Sequence, residues 1–128
     1  MNTNSREWLD ALSSKVIGCA FSVSNSMGCG FLEKVYENAL AVEFRYTGIS
    51  YSQQASFLVR HRHEVVGEYI PDLIVGEALI IEVKALPALT AMHQAQCMNY
   101  LRATGLKAGL LLNFGRPKVE VKRVVMGF

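Results

Sequence analysis

Leu79-Ile80-Ile81-Glu82-Val83-Lys84-Ala85 is the stretch on which the reading of this chain turns. Its apolar, β-branched start suits a strand covered on both faces, as in a sheet with a parallel pairing. Glu82 and Lys84 interrupt that run. Being two residues apart in a strand, they point to the same face. Charges at such a place are either a structural ion pair at a strand end or the beginning of a site.

Upstream, Pro71-Asp72 lies in a strand predicted over residues 65–75, and the chain turns near Gly76-Glu77. The turn length decides what meets Glu82. A two-residue loop pairs Asp72 with Ile81 and leaves Glu82 on the other face. A three-residue loop, Gly76-Glu77-Ala78, sets Asp72 directly across from Glu82. A cluster requires the second register or a bulge. Two carboxylates about 4 Å apart repel by roughly 4 kcal/mol at an effective dielectric near 20. Proton uptake by one acid, the Lys84 ammonium, or a bound cation can each offset that cost. For a cation, oxygen-rich donors favour a hard ion, Mg²⁺ or Mn²⁺, over zinc. With Glu33 added, three acids and one lysine leave −2, matching a divalent ion.

Further outward the chain reads as alternating structure. Asn4 or Ser5 caps a first helix carrying Leu9, Leu12, Val16, Cys19 or Ala20, and Val23 at helical spacing. The run Ser24 to Gly30 breaks it. A second helix over 31–47 stops at Gly48, with Leu32, Val35, Ala39 and Val42 as its apolar stripe. Strands follow at 55–62, turning near His63-Glu64, then at 65–75 and 79–85. A helix over 89–104 stops at Gly105. Strands at 107–114 and 119–126 close the chain. The order α α β β β α β β predicts an α/β fold in which a short meander leads into a helical crossover.

The second helix offers Glu33 and Tyr36 three residues apart, behind Gly28 and Gly30. Glu33 equally suits the helix dipole. The third offers a polar stripe, His93, Gln96 and Tyr100, on the helix that directly follows Glu82 and Lys84. Gln96 and Tyr100 are placed to orient a water, a carboxylate or a phosphate; His93 reads as a supporting or surface residue. Arg60-His61-Arg62-His63 reads as a solvated strand edge, since alternation separates the arginines from the histidines.

Composition bounds the rest. The 128 residues, 51% apolar and 19% charged, make one domain spanning 1–128 and exclude intrinsic disorder. The net charge of +2 excludes a polybasic arm. Residues 102–128 nevertheless hold six basic groups against one acid, and the remainder seven against ten. A basic end fits a polyanion partner as well as a solvated hairpin. Three cysteines without a C-x-x-C pair argue against zinc ribbons and disulfide frameworks and for a reduced, cytoplasmic home. No leader or membrane-crossing run is expected.

Taken in order, these pieces form a set. Gly30-Phe31-Leu32-Glu33-Lys34-Val35-Tyr36, Pro71-Asp72, Glu82-Val83-Lys84, His93-Gln94-Ala95-Gln96 with Tyr100, and Leu112-Asn113-Phe114-Gly115 leading to Lys122-Arg123 resemble the small bacterial family of GxxExxY proteins. That family is placed in the PD-(D/E)XK nuclease superfamily, and the resemblance covers about residues 15–125. It implies a restriction-endonuclease-like αβββαβ core with an extra N-terminal helix and a C-terminal strand. It implies hydrolysis of phosphodiester bonds, in DNA by expectation, by a water activated with Mg²⁺ or Mn²⁺. By resemblance Asp72 and Glu82 bind the metal with the Val83 carbonyl, and Glu33 contributes directly or through water. Lys84 positions the attacking water, while Gln96 and Tyr100 shape the site and contact the substrate backbone. So short a chain implies a homodimer or a partner protein. The competing expectation is a catalytically inactive nucleic-acid-binding or partner-docking module on the same fold.

Overall fold

The computed structural model describes residues 5–127. Helix α1, Arg6–Met27, starts at Ser5, whose hydroxyl accepts from the Trp8 N–H at 3.2 Å. The alternative cap, Asn4, lies outside the described residues. The helix outlasts its predicted break and ends where Gly28 takes φ +67°. Leu9, Val16, Cys19, Ala20 and Val23 form its buried stripe.

Helix α2, Glu33–Thr47, ends at Gly48 in the left-handed conformation. Its expected stripe is overturned. Leu32 is 79% exposed, and Val35 and Val42 also face outward. Tyr36, Leu40, Ala41 and Phe44 turn inward instead. Both faces are apolar, but the inward one carries two aromatic rings. Tyr36 stacks on Phe114 at 4.7 Å, and Phe44 tilts against Tyr51. Burying each such side chain contributes about 1.5–3 kcal/mol, which decides the rotation of the helix.

Seven strands follow: β1 Tyr51–Gln53, β2 Phe57–His61, β3 Glu64–Tyr69, β4 Leu73–Val75, β5 Leu79–Lys84, β6 Ala108–Asn113 and β7 Glu120–Val125, with α3, Ala91–Thr104, between β5 and β6. The main sheet has the order β1-β4-β5-β6-β7. Among the described residues only β5 and β6 run parallel, joined by the α3 crossover. The predicted strand over 65–75 is in fact two strands in two sheets. Pro71, lacking an N–H, sits where the chain leaves β3 and enters the main sheet. The β2–β3 hairpin turns through Arg62 and His63, both at positive φ, and stands outside the main sheet. The αβββαβ core is therefore α2, β1, β4, β5, α3 and β6, with that hairpin inserted between the first two core strands. The additional N-terminal helix and C-terminal strand are α1 and β7.

Alternation along β5 sorts the core into two layers. Leu79, Ile81 and Val83 face α1 and α2. Ile80 faces α3 with Cys97, Leu101, Leu111 and Tyr69. Glu82 falls on the α3 side, at the carboxyl end of the strand. No helix among the described residues is long and apolar enough to cross a membrane.

Candidate active site

The turn between β4 and β5 sets the geometry. Val75 pairs with Leu79 and Leu73 with Ile81, so the loop is the three residues Gly76-Glu77-Ala78. Gly76 has φ +60°, and a Cβ there would meet Leu12 and Trp8 at 3.0 Å. One step beyond Leu73–Ile81, Asp72 stands opposite Glu82. Of the two registers the sequence allows, this one brings the acids together.

Asp72 Oδ2 accepts from the Val83 N–H at 2.7 Å. Burial raises its carboxyl pKa; the Val83 N–H and Lys84 oppose the rise, and Glu37 and Glu33 add to it. Glu82 is 7% exposed and accepts from the Tyr69 hydroxyl. Burial pushes the Glu82 carboxyl up to about 7, against the Tyr69 hydrogen bond and with help from the Asp72 charge. Lys84 is half-buried and lowers both acids. The ion pairs among the described residues are Arg6–Asp10, Lys34–Glu37 and Arg123–Asp10, so neither Asp72 nor Glu82 has one. A buried and a half-buried carboxylate sharing one nearby ammonium are a donor set that a hard dication fits. No group of three or more His, Cys, Asp or Glu among the described residues forms a metal cage by itself.

The remaining expected residues occupy distinct places. Glu33 is exposed in the first turn of α2 and acts on Asp72 through space. Tyr36 is fully buried; its hydroxyl donates to the Gly28 carbonyl at 2.6 Å and accepts from the Phe31 N–H. It pins the loop ahead of α2. Tyr100 is half-buried and stacks on Tyr69, ring centroids 3.7 Å apart, with its phenol pKa raised by burial and by Glu82. Gln96 is exposed on α3. His93 closes the start of α3, its Nδ1 accepting from the Thr90 N–H at 2.9 Å.

Two residues, Tyr69 and Glu37, escape a reading of the sequence, and a third, Asn113, stands there in a motif without a role. Tyr69 holds Glu82 from the inserted hairpin. Glu37 is 3% exposed, and its Oε2 accepts from Lys34, Gln53 and Gln54. An acid on the same helical face as Leu40, Ala41 and Phe44 was the available signal for it. Asn113, fully buried, clamps the segment after Lys84: Oδ1 accepts from the Leu86 and Gly115 N–H groups, and Nδ2 donates to the Leu86 carbonyl and Glu120. Gly115 lets the two chains touch, since a Cβ there would lie 2.2 Å from the Leu86 oxygen. Asn113-Phe114-Gly115 thus fixes the chain next to Lys84.

A family model for the PD-(D/E)XK nuclease superfamily matches residues 10–124. The chain belongs to that superfamily. Among solved structures, the crystal structure of SSO0001 is similar, with a TM-score of 0.58 at 14% identity over 74% of this chain and 50% of that one. An alkaline exonuclease from Laribacter hongkongensis aligns with a TM-score of 0.46 at 14% identity, over 73% of this chain and 56% of that one. The chain spans about half the length of the solved structures it matches. No curated protein matches it. Nucleases of the PD-(D/E)XK superfamily generally use divalent metal ions, and the Asp72–Glu82 pair is the donor set suited to one.

Proposed function

We propose that this protein is a metal-dependent nuclease that hydrolyses phosphodiester bonds, with DNA as substrate and Mg²⁺ or Mn²⁺ as cofactor. The observation that carries the reading is the three-residue β4–β5 loop. It brings the buried Glu82 and the half-buried Asp72 opposite each other, with Lys84 on the Glu82 face and no ion pair to either acid among the described residues. Asp72 and Glu82 are the residues that would hold the metal, aided by the Val83 carbonyl, with Glu33 acting through water. A divalent ion bound there supplies Lewis acidity toward a phosphoryl oxygen and lowers the pKa of water.

The chain's own groups do the rest. The Val83 N–H aims Asp72, and the Tyr69 hydroxyl aims Glu82. Stacked Tyr100 holds Tyr69 still. Lys84, as an ammonium, donates to the attacking water and stabilises charge growing on the phosphoryl oxygens. Gln96 and Tyr100 contact the substrate backbone at the rim. The stretch Gly30 to Tyr36 supports placement among the GxxExxY proteins, with Tyr36 serving structure there and Glu33 the site.

The test is cleavage of labelled DNA in Mg²⁺ or Mn²⁺ by wild type and by Asp72→Asn, Glu82→Gln and Lys84→Met. Loss in all three folded variants supports the proposal. Equal cleavage in all four proteins refutes it. Salt-sensitive, metal-independent binding without cleavage would instead establish a non-catalytic nucleic-acid-binding module.

A further inference from the structure

A cavity of about 460 Å³ lies against the proposed site. Phe31, Gly30 and Cys29 form one wall; Ala85, Leu86, Pro87 and Gly115 form the other. The second wall begins with the residue that follows Lys84. None of these residues is charged. Arg116, exposed, comes directly after Gly115, and Lys84 directly precedes Ala85, so a cation adjoins each segment of the second wall.

Both walls are held rigidly. Phe31 is 49% exposed, yet its ring meets Tyr36 edge-on at 6.0 Å and its N–H is bonded to the Tyr36 hydroxyl. The opposite wall is clamped by Asn113 and by the close approach of Gly115 to Leu86. A half-exposed aromatic ring in a fixed orientation costs hydration free energy and contributes little to the fold. Such a ring offers a face on which a flat ligand can stack.

We propose that this cavity seats one unpaired nucleobase of the strand being cut, stacked on Phe31 across from Pro87, with its phosphates directed toward Lys84 and Arg116. This rests on the nuclease reading and adds to it a substrate class. A base inside a duplex cannot enter such a seat. The substrate is therefore single-stranded, or a duplex end that frays before it is cut. Stacking on aromatic side chains tolerates any base, so the seat selects strandedness and not sequence.

Oligonucleotides carrying 2-aminopurine at successive positions test this in metal-free buffer, where binding is read without cleavage. Wild type should quench one position of a single strand. Phe31→Ala should abolish the quench and weaken binding about ten-fold or more, the scale of a lost base–aromatic stack. Phe31→Tyr should retain both, and Tyr46→Ala, an exposed aromatic near the far end of α2, should match wild type. Bound single strand should also protect Cys29 from alkylation, since Cys19 and Cys97 are buried.

The outcomes separate the two claims. Wild type that cleaves DNA, with no quench and an unchanged Phe31→Ala, overturns the seat and leaves the nuclease standing. Quench and Cys29 protection without cleavage in any metal uphold the seat and refute the nuclease. Neither binding nor cleavage overturns both. Concentration-dependent dimerisation lost in Phe31→Ala, with Cys29 shielded by protein alone, assigns the surface to a second copy and overturns the seat.

Discussion

Replacing Glu82 by Gln should make the metal-free protein more stable in alkaline buffer. The wild-type carboxyl is buried and its pKa rises from 4.5 to about 7. A raised carboxyl pKa means the folded state holds its proton more tightly than the unfolded state. Its contribution to stability is complete below pH 4.5 and is lost as the pH climbs through 7. Converted at 1.36 kcal/mol per pKa unit, the loss is about 3 kcal/mol at high pH, of which roughly 2–3 kcal/mol falls between pH 5 and pH 8.5. Glutamine keeps an oxygen to accept from Tyr69 and carries no charge to desolvate. Urea denaturation in EDTA at both pH values, on wild type and Glu82→Gln, reads the effect as the pH dependence of the gap between the two proteins, including the part that Asp72 shares with Glu82 through their charges. The gap should open in favour of the variant by about that amount at pH 8.5. Mn²⁺ should restore wild-type stability at pH 8.5 and leave the variant unchanged. A variant that is less stable than wild type at pH 8.5, or a gap independent of pH, would mean that burial does not hold the proton on Glu82.

Other outcomes follow from the same geometry. Tyr69→Phe removes a hydrogen bond that lowers the Glu82 pKa, so the acid limb of the cleavage–pH profile should move upward; an unmoved limb denies Tyr69 its role. Gly115→Ala drives a methyl group into the Leu86 backbone and should cost about 3 kcal/mol or more, read as a lower thermal midpoint; an unchanged melt contradicts the close approach. Asn113→Ala strips the Leu86 N–H and carbonyl of their partners and should cost about 2–4 kcal/mol by urea titration, with a larger fall in cleavage than in single-strand binding. Equal losses in binding and cleavage would mean that Asn113 does not act through the Lys84 segment.

The sequence carries the helix stops at Gly48 and Gly105 plainly, because left-handed glycines end helices. It carries the Glu82–Lys84 strand as plainly, because three consecutive buried aliphatics leave few alternatives. The β4–β5 register stays open until the backbone is seen, since Gly76-Glu77 serves either loop length. The inserted hairpin is illegible for a physical reason: strand-forming residues lie on both sides of Pro71-Asp72, and that pair marks the switch between sheets no more clearly than it marks an edge strand. Strand β1, three residues with a polar centre, has no apolar run to announce it. On α2, two apolar stripes compete, and aromatic stacking by Tyr36 on Phe114 settles which is inside. Tyr69 joins the site through a pairing distant in sequence, so nothing local identifies it, whereas Glu37 is marked only by lying on the helical face of Leu40, Ala41 and Phe44.

If Asp72 and Glu82 hold a divalent ion between them, anomalous diffraction from crystals grown in Mn²⁺ should show a manganese peak within about 2.1–2.2 Å of an oxygen from each carboxylate. A peak bound elsewhere, or none between these two side chains at saturating Mn²⁺, would contradict that shared binding.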